Sequence, residues 1–211
     1  ILCSDGQLRS ESKGLKYRIN ADGKTYSVSG LGTCSDKDVV IPLTYDGLPV
    51  TGIDNYAFKG AARINSVIIS TRITSIGEYA FCFCMSLTSV VIPDSVTKIG
   101  DKAFMYCNKL ESITIPESVT SIGTAAFWWC TSLESVEIPD SIITIEKMTF
   151  GVCTKLKSVN LPKNLESISF RCFTSSGLES IIIPESVKNI EGQAFHHCDK
   201  LQSINFAGTI E

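Results

Sequence analysis

Apolar residues return along this chain at a fixed interval. From Ile64 the sequence reads INSVIISTRITSIGEYAFCFCMS, from Leu87 LTSVVIPDSVTKIGDKAFMYCNK, and from Leu110 LESITIPESVTSIGTAAFWWCTS. LESVEIPDSIITIEKMTFGVCTK follows from Leu133, then LKSVNLPKNLESISFRCFTSSG from Leu156 and LESIIIPESVKNIEGQAFHHCDK from Leu178. A further copy opens at Leu201, and a degenerate earlier one starts near Asp36 and carries the insertion LTYDGLPVTG. The period is 23 residues, with one unit of 22. A repeat of this length is the mark of an array whose units stack.

Each unit opens with L-x-S-V-x-I-P, whose apolar positions alternate as a strand does. Val67, Val90, Ile113, Val136, Val159, Ile181 and Ile204 form one inward column; Ile69, Ile92, Ile115, Ile138, Leu161 and Ile183 form the next. Pro93, Pro116, Pro139, Pro162 and Pro184 end the strand, because proline has no N–H to give to a ladder. A second short extended piece places Val96/Ile99, Val119/Ile122 and Ile142/Ile145 inward. The A-F-x-x-C stretch that follows predicts a single helical or 3₁₀ turn. Its Phe column, Phe58, Phe81, Phe104, Phe127, Phe150, Phe173 and Phe195, is never interrupted and reads as core. No unit could bury these columns alone, whereas stacked units make them continuous, at a rise of about 4.8 Å per coil.

The pattern L-x-x-V-x-I-P…V-x-x-I-G-x-x-A-F-x-x-C resembles the BspA-like leucine-rich repeats, a 23-residue class of bacterial and protist surface proteins. The resemblance covers residues 36–211. It implies an α/β-type leucine-rich-repeat solenoid, strand-dominated with short helical or 3₁₀ turns and a parallel sheet, in about seven coils of which the last is incomplete. Residues 1–14 read as an N-terminal tail. Residues 15–35 fall in LKYRINADGKTYSVSGLGTCSDKDVVIP, which is similar to the segment that opens such arrays and reads as a hairpin turning at NADGK, placed to cap the first coil. Members of the class are mostly described as adhesins or ligand-binding modules. The resemblance therefore implies a non-enzymatic binding module at the cell surface or outside the cell, recognising a host protein or glycan. The alternative is a rigid stalk that presents another domain, since a fold does not by itself fix a function.

Composition narrows this picture. A chain of 211 residues holds one substantial domain, and a net charge of −3 gives no footprint for nucleic acid. No run of 18 apolar residues offers a membrane span. The opening ILCSDGQLRS has neither a basic stretch nor an apolar one and does not read as a signal peptide. Nine cysteines are many, and their spacing tells more than their number. Cys84, Cys107, Cys130 and Cys153 recur at the repeat period, Cys198 keeps their phase, and Cys34 lies near it. Without C-x-x-C pairs they do not read as a zinc site. They read as buried free thiols filling small apolar spaces, and disulfides between coils remain the alternative. Cys172 takes the Ala place before Phe173, and Cys3 is undetermined.

Nothing in the sequence assembles into a catalytic centre. It has no phosphate-binding glycine loop, no H-E-x-x-H and no nucleophile elbow. His196 and His197 are neighbours on a turn and diverge, so they read as surface positions. Asp94, Glu117, Asp140 and Glu185 follow the prolines and read as turn starters that bond the local backbone, with Lys163 breaking their row. The third-position serines lie on the exposed side of the strands with no base to activate them. No catalytic residue, cofactor or metal is expected.

Specificity in a repeat array sits at the positions that vary between coils. One such column is the fifth strand position: Val40, Ile68, Val91, Thr114, Glu137, Asn160, Ile182 and Asn205. It is expected to face solvent and is apolar in its first half. The other is the pair between Phe and Cys: Cys82-Phe83, Met105-Tyr106, Trp128-Trp129, Gly151-Val152 and His196-His197. Both tryptophans are expected to point outward, with Phe83, Tyr106, Trp129, Val152 and His197 forming a partly exposed ridge. The candidate binding surface is thus Phe83, Tyr106, Trp128, Trp129 and His197, with Ile68, Val91 and Glu137 on the strand face. The competing expectation is that the rings lie flat over neighbouring coils and shield the core. At the far end, LQSINFAGTIE repeats the strand phase with Ala207 in the proline place. The chain is expected to be a fragment or mature segment whose last strand is covered by further chain or by a second copy, so that self-association through this edge is anticipated.

Overall fold

The computed structural model describes residues 9–208. A hairpin, β1 (Lys16–Ile19) and β2 (Tyr26–Gly30), is followed by β3 (Asp38–Val40) and a second hairpin, β4 (Thr44–Tyr45) and β5 (Leu48–Ile53). From there the chain alternates between two walls. The front wall continues through β6 (Ser66–Ile68), with β7 (Ser75–Ile76) on the rear wall, then β8 (Ser89–Val91) with β9 (Lys98–Ile99), and β10 (Ser112–Thr114) with β11 (Ser121–Ile122). β12 (Ser135–Glu137) and β13 (Thr144–Ile145), β14 (Ser158–Asn160) and β15 (Ser167–Ile168), β16 (Ser180–Ile183) and β17 (Asn189–Ile190), and β18 (Ser203–Phe206) complete it.

Both walls are parallel and in register at the repeat period. Val67 pairs with Val90, Ile113 with Val136, and Val136 with Val159. Where regular pairing lapses, single bonds such as Glu111 N–H to the Thr88 carbonyl (3.4 Å) and Glu179 N–H to the Lys157 carbonyl (3.1 Å) carry the stack across. β2 pairs with β5 and sets the first hairpin at the end of the rear wall. The coils approach closely enough that a side chain on Gly77 or Gly100 would strike the backbone of the coil before it, at 2.5 and 2.7 Å.

The core is the set of columns predicted by phase. Phe58, Phe81, Phe104, Phe127, Phe150 and Phe173 are fully buried and stack with ring centroids 5.1 to 5.8 Å apart; Phe195, in the last full coil, is half-buried. In this coil and beyond it the inward positions emerge: Ile190, Ile204 and Phe206 are exposed.

The turns are where the structure departs from expectation. A-F-x-x-C is not helical, and no helix occurs among the described residues. Each stretch is a pair of flat β-turns with left-handed third residues, as at Tyr79 (φ 54°) and Phe83 (φ 61°). Ala80 N–H closes on the Gly77 carbonyl and Cys84 N–H on that of Phe81. This leaves the N–H groups of Tyr79, Phe81 and Phe83 to point along the stack, at the carbonyls of Asp101, Ala103 and Met105 (2.9, 2.7 and 2.8 Å). A helical turn would bond its N–H groups within its own coil and rise away from its neighbour. Flat turns let the stacking itself satisfy the backbone.

Candidate functional site

The turn edge carries the varied side chains, and its left-handed backbone decides which of them face out. Phe83, Tyr106, Trp129, Val152 and His197 all occupy the second left-handed position of their coil, with φ between 56° and 64°. Three of them make an aromatic ladder. Phe83 and Tyr106 stack at 4.6 Å with planes 6° apart, and Tyr106 and Trp129 at 5.4 Å and 25°. Asn108, with its amide turned to satisfy both contacts, donates to the carbonyls of Tyr106 (2.9 Å) and Trp129 (3.1 Å) and ties two rungs together. Trp129 is 38% exposed, while Phe83 and Tyr106 are half-buried. The rings face one another down the stack, and Trp129 at its end is the most exposed of the three. His197 shares the phase but stands beyond Val152 and Ser175; it is exposed and contacts His196 (3.9 Å between centroids).

Trp128 does not join the ladder. It is half-buried and its six-membered ring lies over Gly151 of the next coil, as the competing expectation of rings flat on neighbouring coils has it and against the outward one. The residues in its column, Cys82 and Met105, are likewise buried and half-buried. The first position of the pair follows a right-handed residue and leans along the wall; the second is turned out by its positive φ.

The strand face also differs from its expected pattern. Val40 and Ile68 are buried and pack together, because the N-terminal segment runs beside β3. Ser12 N–H donates to the Val40 carbonyl (2.9 Å), and Val40 N–H donates to Ser12 Oγ (3.0 Å). Of the expected apolar stripe only Val91 is exposed, next to the polar Thr114 and Glu137. Two of the acidic residues after the prolines, Glu117 and Asp140, bond the following coil where a local turn bond is expected. Glu117 accepts from Asp140 N–H (3.2 Å), and Asp140 accepts from Lys163 N–H (3.1 Å) while pairing with the Lys163 ammonium (2.7 Å).

The cysteine ladder has a polar job that its phase did not disclose. Cys84, Cys107, Cys130, Cys153 and Cys198 are buried free thiols, and each donates its S–H to the carbonyl of the Phe one coil back, at 3.0 to 3.3 Å. Burial pushes Cys84 and Cys153 up to about 12, and Cys107 and Cys130 well above the ordinary thiol range. These thiols are held protonated, as an S–H donor must be, and a protonated thiol is a poor nucleophile. Cys3 lies outside the described residues.

The chain can now be set beside known proteins. The model of the BspA-type leucine-rich repeat region matches residues 51–138 and 120–211, in six copies. The chain belongs to this family. No curated protein matches it in sequence. Among solved structures it is similar to the leucine-rich repeat protein of T. pallidum, with 29% identity and a TM-score of 0.85 over 93% of this chain and 92% of that one. It is also similar to a leucine-rich cell surface protein of Faecalibacterium prausnitzii, with 33% identity and a TM-score of 0.82 over 97% of this chain. The chain spans 56% of the length of that protein. A leucine-rich repeat protein of Bacteroides ovatus matches at 29% identity and a TM-score of 0.58, over 94% of this chain and 70% of its own. The BspA-type repeats thus account for the stacked coils that carry the aromatic ladder.

Proposed function

We propose that this chain is a non-enzymatic binding module of a cell-surface or secreted protein, and that its partner is a protein docking on the Phe83–Tyr106–Trp129 edge. The observation that carries this reading is the orientation of the rings. A sugar ring binds by laying its C–H face on an open aromatic face, and in this ladder both faces of Tyr106 and the facing sides of Phe83 and Trp129 are taken by stacking. What remains are apolar ring edges with a phenol and an indole N–H, the mixture that anchors protein interfaces. The described similarity to a cell surface protein supports the location. A rigid spacer is the second reading, favoured by the unbroken stack of core phenylalanines.

A panel of extracellular matrix proteins and glycans, screened with the native chain and with a Tyr106→Ser/Trp129→Ser variant, separates these readings. The expected result is a protein ligand that the variant binds at least tenfold more weakly while its melting temperature stays within a few degrees. Equal binding by both chains, or a glycan ligand, would overturn the assignment.

A further inference from the structure

The lysines beside the ladder are held differently from lysines elsewhere in the chain. Lys163 and Lys188 each reach a carboxylate of the preceding coil, Asp140 at 2.7 Å and Glu166 at 2.8 Å. Lys59 and Lys102 have no such ion pair among the described residues. Their ammonium groups rest on a second aromatic pair, Tyr56 and Tyr79, which stack at 5.1 Å with planes 11° apart. Lys59 Nζ lies 5.3 Å from both ring centroids. Lys102 Nζ lies 4.8 Å from that of Tyr79 and donates to its hydroxyl at 2.6 Å. This hydrogen bond is the chief reason the Lys102 pKa is raised; Glu78 and Asp101 add only longer-range attraction.

The Tyr79 hydroxyl oxygen and the electron-rich tyrosine rings attract an ammonium group without neutralising it. Resting on the rings also removes part of the rotamer freedom of two long side chains, a cost that a partner's carboxylate would otherwise have to meet on binding. The position matters as much as the charge. Tyr79 and Phe83 lie in the two successive turns of one coil, and Lys102 and Tyr106 in those of the next, so the cations and the ladder occupy adjacent turns of the same edge. On the strand face Glu111, Glu134 and Glu137 are exposed, with Lys157 next in the column of the first two; on the turn edge Glu78 and Asp101 stand beside the lysines. The attraction for an anionic segment is therefore local, at the two ammonium groups, which no carboxylate pairs directly among the described residues.

We infer that Lys59 and Lys102 are the cationic half of a composite site whose partner is an acidic protein segment carrying aromatic or other apolar residues. Its carboxylates meet the two ammonium groups, and its apolar side chains pack on the edges of Tyr106 and Trp129. This inference rests on the ladder being a protein-binding surface and names the chemistry of what binds it.

The test uses a glutamate–tyrosine random copolymer as probe, with polyglutamate and heparin beside it, read by tryptophan fluorescence and calorimetry at low and moderate salt. The copolymer is expected to bind tightest. Lys59→Gln/Lys102→Gln should weaken it at least tenfold and flatten its salt dependence, whereas the charge-matched control Lys163→Gln/Lys188→Gln should stay within twofold. Lys59→Gln alone breaks no hydrogen bond of the fold and carries the comparison if the double variant melts early. Unchanged copolymer binding in the lysine variants, or heparin binding more tightly than the copolymer, would overturn the inference. So would a concentration-dependent dimer abolished by the same substitutions, which would assign the site to the strand-face glutamates of a second copy. Loss of binding in Tyr106→Ser/Trp129→Ser with retention in the lysine variants sinks the cationic half and leaves the ladder standing. The reverse pattern sinks the ladder.

Discussion

Trp128 and Gly151 are complementary across a coil boundary: a methyl group on Gly151 would meet Trp128 Cζ3 at 2.1 Å. The indole supplies the side chain that the next coil lacks. Gly151 has no left-handed backbone to excuse it, so the space is the only reason it must be glycine. Gly151→Ala is expected to cost about 1–3 kcal/mol, as overpacking does, and to shift tryptophan emission to the red as Trp128 is pushed out. Unchanged emission together with an unchanged denaturant midpoint would refute the pairing.

Phe127 sits between Phe104 and Phe150 at 5.4 and 5.5 Å, and it is fully buried. Phe127→Ala should destabilise the chain by about 3–5 kcal/mol. Because repeat arrays couple neighbours in one dimension, the loss should appear as earlier unfolding of the flanking coils by hydrogen exchange. A midpoint within error of the native value would remove the column from the core.

The raised thiols set an alkaline limit. Cys82, Cys84, Cys107, Cys130, Cys153, Cys172 and Cys198 are all shifted upward by burial. Above about pH 9 the unfolded thiols release protons that the folded ones retain, so the folded state binds more protons and stability falls as pH rises. Each thiol contributes up to about 1.4 kcal/mol per pH unit until its folded value is reached, about 12 for Cys84 and Cys153. Melting temperature measured from pH 8 to 11 should drop steeply, and Cys130→Ala should lessen the slope. Parallel slopes for the two chains would show that Cys130 is not held protonated.

Val152 is a β-branched residue at φ 58°, half-buried at a ladder position with no ring. That backbone region disfavours branched side chains and tolerates Asn. Val152→Asn is expected to stabilise by about 0.5–1 kcal/mol in chemical denaturation; a loss of stability would mean that the valine's packing outweighs its strain.

The walls, their register and the Phe column were legible because each depends on a residue type repeated at fixed phase. Val67, Val90 and Ile113 can share a core only if the coils stack. The turns were misread, since A-F-x-x-C has the length and apolar spacing of a helical turn, and the left-handed φ of Tyr79 or Trp129 leaves no mark on residue identity. Trp128 was misplaced for the same reason, its direction depending on a backbone angle and on a glycine 23 residues later. Ile68 was misplaced because the segment around Ser12 that runs beside β3 belongs to no repeat. Lys59 and Lys102 were passed over because a lysine held on a tyrosine looks, in sequence, like any exposed lysine.

Alternate turn N–H groups of each coil donate toward the next one, from Tyr56, Phe58 and Gly60 onward to Val152 and Ser175. The edge therefore has a direction. A ribosome delivers this chain from the end whose donors wait. Synthesis and assembly run the same way along this edge, so each new coil supplies the carbonyls that the turns of the previous one lack.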